Sequence, residues 1–574
     1  MTTVTPLSSS VAPGVTFSNF VHMKLPESTN CLACSEDGMY LSLGHAHGLS
    51  VWCVSSLTCV AERLEDRLEI TSIQMSRITE KTYLLATIDD MGVARVFAYH
   101  CDSIHLLSTV NSMENVNKRS ICLTFELSQG GYYGVAAISC NSAVWLEVYR
   151  FPSEAWLKEL EMAVSHIQES NCNEDVDLKW TPLSVVTKIK PPEIPEGTEM
   201  EGPDEVQTTD FLMHYLALDI LTKNCKLETH SFKSDEEKTH ESQRCCTVHF
   251  LLPCGQFPGD LKIRSQPESP VAFCVWWSDS HNLLQYQLHK ARNFKPDVEP
   301  VPYLFWPNTK KILCSAVTRC TQYIALGLDS ALVCIWDRQS GAPFSVVLIS
   351  AADCVISRMQ FVDDWPVSGD DTQSFNTEEV HLLVACKSGA IHTINTGRGR
   401  QSRITLLTDS PKDTGDLPTV IVSVPTLRSL VLRVQRNGKI FLHDVLNKQT
   451  LCTLIPPKTH SIATPCSPVY ALNSKRRILF IRGDQDTSYR PSSQEYSQSQ
   501  LFIFHFGESD SLQKYVVSPS DSPQRQKTLS YITLEETCDR YLQQRALSAD
   551  ARSRAFTQTW KELQEAVMAQ QGHS

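Results

Sequence analysis

Few residues in this chain have the spacing of a catalytic or metal-binding site. Nearest to the N-terminus are Cys31 and Cys34, which are separated by two residues. This spacing occurs in redox-active dithiols and in zinc sites. The pair lies on a predicted strand, however, and no second cysteine or histidine pair follows at the distance that a zinc ribbon requires. A redox accessory function of these two thiols is kept only as an alternative hypothesis.

The sequence lacks the other patterns that mark common enzymes. Gly397 and Gly399 form a Gly-x-Gly pair, but neither the third glycine nor the following helix of a dinucleotide-binding fingerprint is there. No phosphate-binding loop ending in Lys-Ser/Thr, no Gly-x-Ser-x-Gly and no His-Glu-x-x-His occurs. We therefore expect no enzyme, and no catalytic residue, metal site, cofactor or small-molecule substrate.

Five stretches instead share one pattern, in which an apolar strand, a tight turn and a second apolar strand follow one another. They are Tyr40–Trp52, Tyr83–Phe97, Tyr323–Asp337, His381–Ile394 and Leu430–Asp444. Apolar residues that alternate on both sides of a turn predict a β-hairpin with one buried face. The hairpins recur at intervals near the ~40–50 residues of a propeller blade. The sequence therefore predicts an all-β fold, a WD40-type β-propeller with divergent repeats.

The number of blades follows from the number of such hairpins. Weaker examples turn near Ser142, Asn224 and Ser280, and a ninth pair of strands is formed by Ile478–Arg482 and Leu501–Phe506. Nine hairpins exceed the usual 4–8 blades. We therefore predict seven or eight blades and one miscounted hairpin, for which Asn224 is the weakest match.

Shifts in composition indicate how the chain is organised. An acidic, proline-rich stretch and a polar stretch interrupt two of the repeats, and a Ser/Pro-rich stretch follows the last one. The N-terminal Val15–Leu25 could supply the strand that completes the last blade. We expect a disordered N-terminus at 1–14, a propeller at 15–517 with insertions at 153–208 (a helix and an acidic linker) and 363–379 (a loop), a linker at 518–532, and a C-terminal helical segment at 533–574.

Two apolar stripes at helical spacing stand outside the β pattern, one in Ser153–Glu169 and one in the C-terminal segment. Each stripe could pack back on the propeller or insert into a groove of a partner protein, and both alternatives stay open. The stripe residues that we take as partner-binding candidates are Trp156, Leu160, Phe556, Trp560, Leu563 and Val567.

The chain is acidic, with 52 basic and 64 acidic residues and a formal net charge of −12. This balance gives no basic footprint for nucleic acid, so no nucleic-acid partner is expected. One basic cluster, Gly397–Arg403, contains Arg398, Arg400 and Arg403. It is either a solvated loop or a contact for an acidic partner such as a tubulin tail.

The sequence also predicts a compartment. No apolar run approaches the ~20 residues of a membrane span, and the N-terminus has neither the basic start nor the apolar block of a signal peptide. The 21 cysteines are scattered and mostly lie in apolar strands, where cysteine behaves as a small hydrophobe. We therefore expect a cytoplasmic protein without a membrane partner.

The stretch Lys118–Lys158 resembles the third-blade region of divergent WD-repeat proteins of motile cilia. Its most particular part is Trp145–Tyr149 followed by Glu154–Leu157, because a generic blade has no reason to end in a tryptophan-bearing helix. The sequence departs from the common WD pattern, since the signature dipeptide is kept at Trp336-Asp337 while other residues replace it in the remaining repeats.

The resemblance implies a non-enzymatic scaffold protein, a structural subunit of a central-pair projection in the ciliary or flagellar axoneme. The partners that it implies are other scaffold subunits of the central apparatus or microtubule-associated proteins. A cytosolic WD-repeat adaptor in trafficking or ubiquitin ligation is the alternative, because a propeller can also read a peptide of such partners.

Overall fold

The structure is a computed structural model of the chain, and it falls into two compact units. Unit 1 is Met1–Val60, Glu65–Arg67 and Gln360–Leu529, and unit 2 is Ala61–Leu64, Leu68–Met359 and Ser530–Ser574. The structure describes residues 15–17, 20–25, 29–111, 120–141, 143–169, 179–192, 246–253, 269–288, 300–308, 310–338, 342–349, 354–362, 379–397, 402–424, 427, 429–455, 460–465, 467–473, 475–485, 499–506, 512, 515, 554, 557–558, 560–561 and 565.

Alternating apolar residues form sheets whose strands pair antiparallel, apart from the parallel strand β1 described below, and each sheet is one blade, numbered here along the chain. Unit 2 holds blades 2 to 5. Their strands are β7 (Ile70–Arg77), β8 (Thr82–Asp89), β9 (Ala94–His100) and β10 (Ser103–Thr109); β11 (Ile121–Leu127), β12 (Tyr133–Cys140), β13 (Ala143–Arg150) and β14 (Ser184–Ile189); β15 (Cys246–Leu251), β16 (Ala272–Trp277), β17 (Asn282–Gln287) and β18 (Leu304–Pro307); and β19 (Ile312–Val317), β20 (Tyr323–Leu328), β21 (Leu332–Asp337) and β22 (Ala342–Leu348).

Unit 1 holds blades 1, 6, 7 and 8, apart from Ala61–Leu64 of blade 1 and residues 356–359 of blade 6, which belong to unit 2. Blade 1 is β3 (Thr29–Cys34), β4 (Tyr40–His45), β5 (Gly48–Cys53) and β6 (Thr58–Leu64); blade 6 is β23 (Ile356–Phe361), β24 (Glu379–Cys386), β25 (Ile391–Gly397) and β26 (Arg403–Thr408); blade 7 is β27 (Pro418–Ser423), β28 (Leu430–Gln435), β29 (Ile440–Asp444) and β30 (Gln449–Leu454) with β1 (Val15–Phe17); blade 8 is β31 (His460–Ile462), β32 (Tyr470–Asn473), β33 (Ile478–Gln485) and β34 (Ser499–His505) with β2 (Phe20–Lys24).

The described residues thus form eight sheets, and the fold is an all-β, WD-type propeller with eight blades. This confirms the predicted fold class and the upper of the two predicted blade numbers. Each of the five strong hairpins forms the central pair of strands of its own blade, as do the weaker hairpins at Ser142 and Ser280 and the ninth pair. The Asn224 hairpin lies outside the described residues.

The cores lie between consecutive blades of the same unit, because both faces of each sheet carry apolar residues. In unit 2, one cluster joins blades 2 and 3 around Trp156 and Leu160, and further clusters join blades 3 to 4 and 4 to 5. In unit 1, clusters join blades 6 to 7, 7 to 8 and 8 to 1. A single hairpin could not bury its apolar face in this way without a neighbour.

The N-terminal segment supplies strands to two blades of unit 1. β2 pairs antiparallel with β34, so that Met23 lies opposite Leu501 and Phe20 opposite Phe504. This is the pairing that was predicted for Val15–Leu25. β1 adds to the outer edge of β30 as a parallel strand, with Val15 opposite Cys452. One segment therefore fills the outermost positions of blades 7 and 8.

The helix predicted at Ser153–Glu169 is present as α1 with the same bounds. After it, the chain returns to blade 3 as the outer strand β14, which pairs with β13. The predicted insertion at 153–208 therefore contains a strand of the propeller. The β-branched run Val185-Val186-Thr187 suits this position, because β-branched side chains fit a half-exposed sheet surface.

Candidate protein-interaction surface

The outermost strand of blade 6, β26, carries an exposed apolar pair on a sheet edge. Ile404 and Leu406 are 37% and 42% exposed, and they lie two residues apart, so both project from the same face of the sheet. Opposite them on β25 are Ile394 and His392, which are buried. Apolar side chains that stay exposed beside a buried strand mark a surface that could gain from a partner.

The backbone edge of β26 is also open within the described part of the chain. In blade 6 the strand order ends at β26, and no other strand of the described part of the chain pairs with its outer side. The corresponding strand of blade 7, β30, is covered by β1. An uncovered edge presents unpaired N–H and C=O groups, which is the arrangement to which an extended segment can add as a further strand. We refer to residues Arg403–Thr408 as the β26 edge.

The two ends of the β26 edge carry opposite charges. Arg403 begins the strand and is exposed, and exposed Asp409 follows its last residue. Arg398 and Arg400, which lie outside the described residues, precede Arg403 in the sequence. A partner segment with acidic residues at the Arg403 end would therefore meet opposite charge, whereas the reverse orientation would bring its acidic residues to Asp409.

The two candidates in α1 lie in the core of unit 2. Trp156 and Leu160 are both fully buried, and they pack in the cluster between blades 2 and 3. The Trp156 indole N–H donates to the Thr181 carbonyl at 2.8 Å, and its ring centroid lies 5.6 Å from that of Phe151. Of the two alternatives for this helix, the structure shows the packing of its stripe on the chain's own blades.

The C-terminal stripe is described only in part. Trp560 is half-buried in a helical stretch, and Phe556, Leu563 and Val567 lie outside the described residues. The stripe and the basic cluster therefore remain partner-binding candidates. Ile404 and Leu406 were not among the predicted site residues, although the alternation in Arg403–Thr408 predicts a strand. That this strand is the outermost of its blade follows only from the sheet order.

The cysteine pair of β3 does not come together. Both thiols lie on one regular stretch of strand, three residues apart, so they project from opposite faces of the sheet. Burial raises the pKa of Cys31 and of Cys34 to about 12. At neutral pH both thiols are therefore protonated, and a thiol in this state is a poor nucleophile and a poor metal ligand.

The eight four- and five-stranded sheets define the class of the protein, which is the WD-repeat β-propellers. The family model for WD repeat-containing protein 93 matches residues 29–333, more than half of the chain. The chain belongs to this family, which confirms the resemblance seen in the sequence. Families of this class are generally non-enzymatic.

Solved structures of other propellers are similar to the chain over most of its length. The crystal structure of Saccharomyces cerevisiae Sqt1 is 8% identical, with a TM-score of 0.45, and the match covers 86% of this chain and 99% of that one. The C-terminal WD40 domain of Sif2 is 9% identical, with a TM-score of 0.42 and coverage of 84% and 98%. Chaetomium thermophilum Sqt1, bound to the N-terminus of the ribosomal protein L10, is 10% identical, with a TM-score of 0.44 and coverage of 84% and 98%.

Among the described residues, no helix combines the length and the apolar character that crossing a membrane requires.

Proposed function

We propose that this protein is a non-enzymatic scaffold subunit of the ciliary or flagellar axoneme, in a projection of the central-pair apparatus. Membership of the WD repeat-containing protein 93 family supports a scaffold, and the resemblance of Lys118–Lys158 to WD-repeat proteins of motile cilia supports the axoneme. In the structure, the most particular part of that stretch forms β13 and the start of α1.

The observation that carries the proposal is the open β26 edge beside the covered β30. The chain itself adds a strand to β30, so strand addition to an outer edge already occurs in unit 1. The partner segment at β26 is an extended stretch of an axonemal protein, with alternating apolar residues and acidic residues at the Arg403 end. Apolar contact with Ile404 and Leu406 would supply binding energy, and Arg403 would select the orientation.

The proposal is tested by extracting axonemes from multiciliated or sperm-forming cells that express the tagged chain. We expect the chain to stay with the axoneme in detergent and to leave it at high salt together with central-pair subunits. A diffuse pool that is lost in the first detergent wash would contradict the axonemal function and would favour the cytosolic adaptor.

The same assay tests the β26 edge. We expect the double variant Ile404→Thr/Leu406→Thr to stay folded but to be released at a lower salt concentration, because threonine keeps the strand propensity and removes most of the apolar contact. The loss should be about tenfold in affinity or more, which is ~1.4 kcal/mol.

The matched control is Leu446→Thr, because Leu446 is an exposed apolar residue of the same unit, at 51%, outside the β26 edge. It should leave retention unchanged. Equal retention of the wild-type chain and the double variant, with both folded by thermal unfolding, would rule out the β26 edge as the contact while leaving the axonemal location intact.

A further inference from the structure

The hairpin of β9 and β10 in unit 2 carries an exposed cysteine at its tip. Cys101 and Asp102 form the turn, both with positive φ (47° and 60°), and Ser103 pairs with His100 on either side of it. Asp102 is held by the Tyr99 hydroxyl, which donates to its carboxylate at 2.9 Å. The Cys101 side chain is exposed, so a small molecule can reach its sulfur.

The thiol lies against the imidazole of the preceding residue. Sγ of Cys101 is 3.4 Å from Nε2 of His100, which is within hydrogen-bond distance for sulfur. On its other side, Nδ1 of His100 lies 2.9 Å from Oγ1 of Thr82, which is buried and directly opposite His100 in the β8–β9 pair. With the proton on Nδ1 donated to Thr82, Nε2 is free to accept the proton of the thiol.

The charges that face His100 come from three elements. Burial is the largest influence and lowers the pKa of His100 below its ordinary value of 6.5; Glu161 on α1 raises it, and Lys81 lowers it. His105 on β10 also faces His100, and the pKa of His105 is lowered first by burial and then by the charges of His100 and Arg63. The imidazole is therefore neutral at pH 7, which is the form that can act as a base.

The geometry points to Cys101 as a thiol-modification site, in which His100 is the base, Thr82 orients it, and the reactant is a small disulfide such as glutathione disulfide. Sγ attacks one sulfur of the disulfide while the thiol proton passes to Nε2. The disulfide bond of the reactant breaks, its second sulfur leaves as a thiolate, and that thiolate takes the proton from the imidazolium. The product is a mixed disulfide on Cys101, and the exchange involves no net oxidation.

Other thiols of the chain provide internal references. Cys320 is exposed at another turn of unit 2 and lies 3.5 Å from the Thr318 hydroxyl, and no imidazole of the described residues is among its hydrogen-bond partners. Cys53, in unit 1, has a pKa lowered to about 7 by hydrogen bonds from Ser55 and Ser56. Its reactivity does not depend on His100, so its rate reports only on handling and folding.

The test uses the full chain, glutathione disulfide and peptide-resolved mass spectrometry, with rates measured at each cysteine between pH 5 and 8. We expect Cys101 to react about tenfold faster than Cys320 at pH 7, which is modest for base assistance. His100→Gln should bring the Cys101 rate down to that of Cys320, with Cys320 and Cys53 unchanged. Thr82→Val should lower the Cys101 rate by a smaller factor. Thr82→Ser keeps the hydroxyl, so its Cys101 rate should stay close to that of the wild-type chain.

The pH profile separates base catalysis from a change in exposure. In the wild-type chain the Cys101 rate should fall at acidic pH as His100 becomes protonated, and His100→Gln should lack this inflection. Equal rates at Cys101 and Cys320 in the wild-type chain, or a Cys101 rate that His100→Gln leaves unchanged, would overturn the proposal. Thermal unfolding of each variant checks that the rates are compared between folded proteins.

Discussion

At the scale of single residues, a hydrogen-bond network in unit 2 joins blades 4 and 5 through the hydroxyl of Ser315. The Trp276 indole N–H donates to Oγ of Ser315 at 2.8 Å, and the same oxygen lies 2.7 Å from Nε2 of His249. Because the oxygen accepts from Trp276, its own proton can go to Nε2, and a neutral imidazole fits this arrangement. Burial lowers the pKa of His249 to about 4.

This network predicts a loss of stability in acid. The pKa of His249 is lower in the folded chain than the ordinary value of about 6.5, so the unfolded chain binds more protons between these two values. The stabilisation is therefore complete above pH 6.5 and is lost as the pH falls toward 4. We expect His249 to account for about 3 kcal/mol of the decrease in the free energy of unfolding, measured by denaturant titration at several pH values.

The variant His249→Gln supplies the control, because its amide oxygen can accept from Ser315 and does not titrate. Its free energy of unfolding should depend less steeply on pH than that of the wild-type chain. His443 in unit 1, whose pKa burial also lowers to about 4, should supply part of the slope that remains. An identical slope in both proteins would show that His249 has no part in the acid sensitivity.

At the scale of elements, β33 and β34 pack so closely that one strand position accepts only glycine. Gly483 of β33 lies opposite Gln500, and a Cβ at Gly483 would overlap the ring of Phe502, which is fully buried in the cluster between blades 7 and 8. We expect Gly483→Ala to lower the free energy of unfolding by about 1–3 kcal/mol, because the ring must move within a packed core. Thermal or denaturant unfolding measures the change.

Gly415→Ala is the matched control for this substitution. Gly415 lies in the 3-10 turn Thr414–Asp416 of the same unit, and the nearest atom to its added Cβ would be Oδ1 of Asp413 at 3.5 Å, an ordinary contact. This variant should be as stable as the wild-type chain within about 0.5 kcal/mol. Should both alanine variants lose the same stability, the close approach to Phe502 would not be the cause.

The elements that were predicted correctly are those that local patterns determine. Apolar residues that alternate around a tight turn were enough to predict hairpins such as Tyr323–Asp337. Apolar residues at helical spacing were enough to predict α1 with its bounds. The pairing of the N-terminal segment with β34 was also predicted, since a propeller needs a strand to complete its last blade. The number of hairpins left seven or eight blades open, and the described residues form eight.

Features that depend on neighbours far along the chain could not be predicted from local patterns. β14 was assigned to an insertion, because a helix separates it from the hairpin that it completes. The exposed pair Ile404 and Leu406 was not singled out, because an apolar alternation looks the same in an inner and an outer strand. The spacing of the apolar residues in α1 also could not show whether they pack on the chain's own blades or on a partner protein.

At the scale of the whole molecule, the described C-terminal residues Arg554, Trp560 and Glu565 are helical, after the last strand of blade 8. Deleting Thr533–Ser574 should leave the eight blades folded, because the described strands all lie before this segment. We expect the truncated chain to lose its incorporation into axonemes, since the stripe that contains Trp560 would be missing. Circular dichroism and axoneme extraction measure the two effects.

The variant Trp560→Ala narrows this prediction to the apolar stripe, and Lys561→Ala, at an exposed neighbouring position, is its control. Trp560→Ala should weaken incorporation and Lys561→Ala should not. Normal incorporation of the chain that lacks Thr533–Ser574 would show that the C-terminal segment has no part in assembly.

The pairing of β2 with β34 has a consequence for how the protein is made. The ribosome synthesises Phe20–Lys24 long before Ser499–His505, so β2 leaves the ribosome before the strand with which it pairs has been made. At roughly 5–20 residues per second, the wait is tens of seconds. Throughout this time the nascent chain carries an unmatched strand, which a chaperone would have to shield. A messenger RNA truncated before the codon for Ser499 would encode a polypeptide that lacks β34, so β2 would have no strand to pair with.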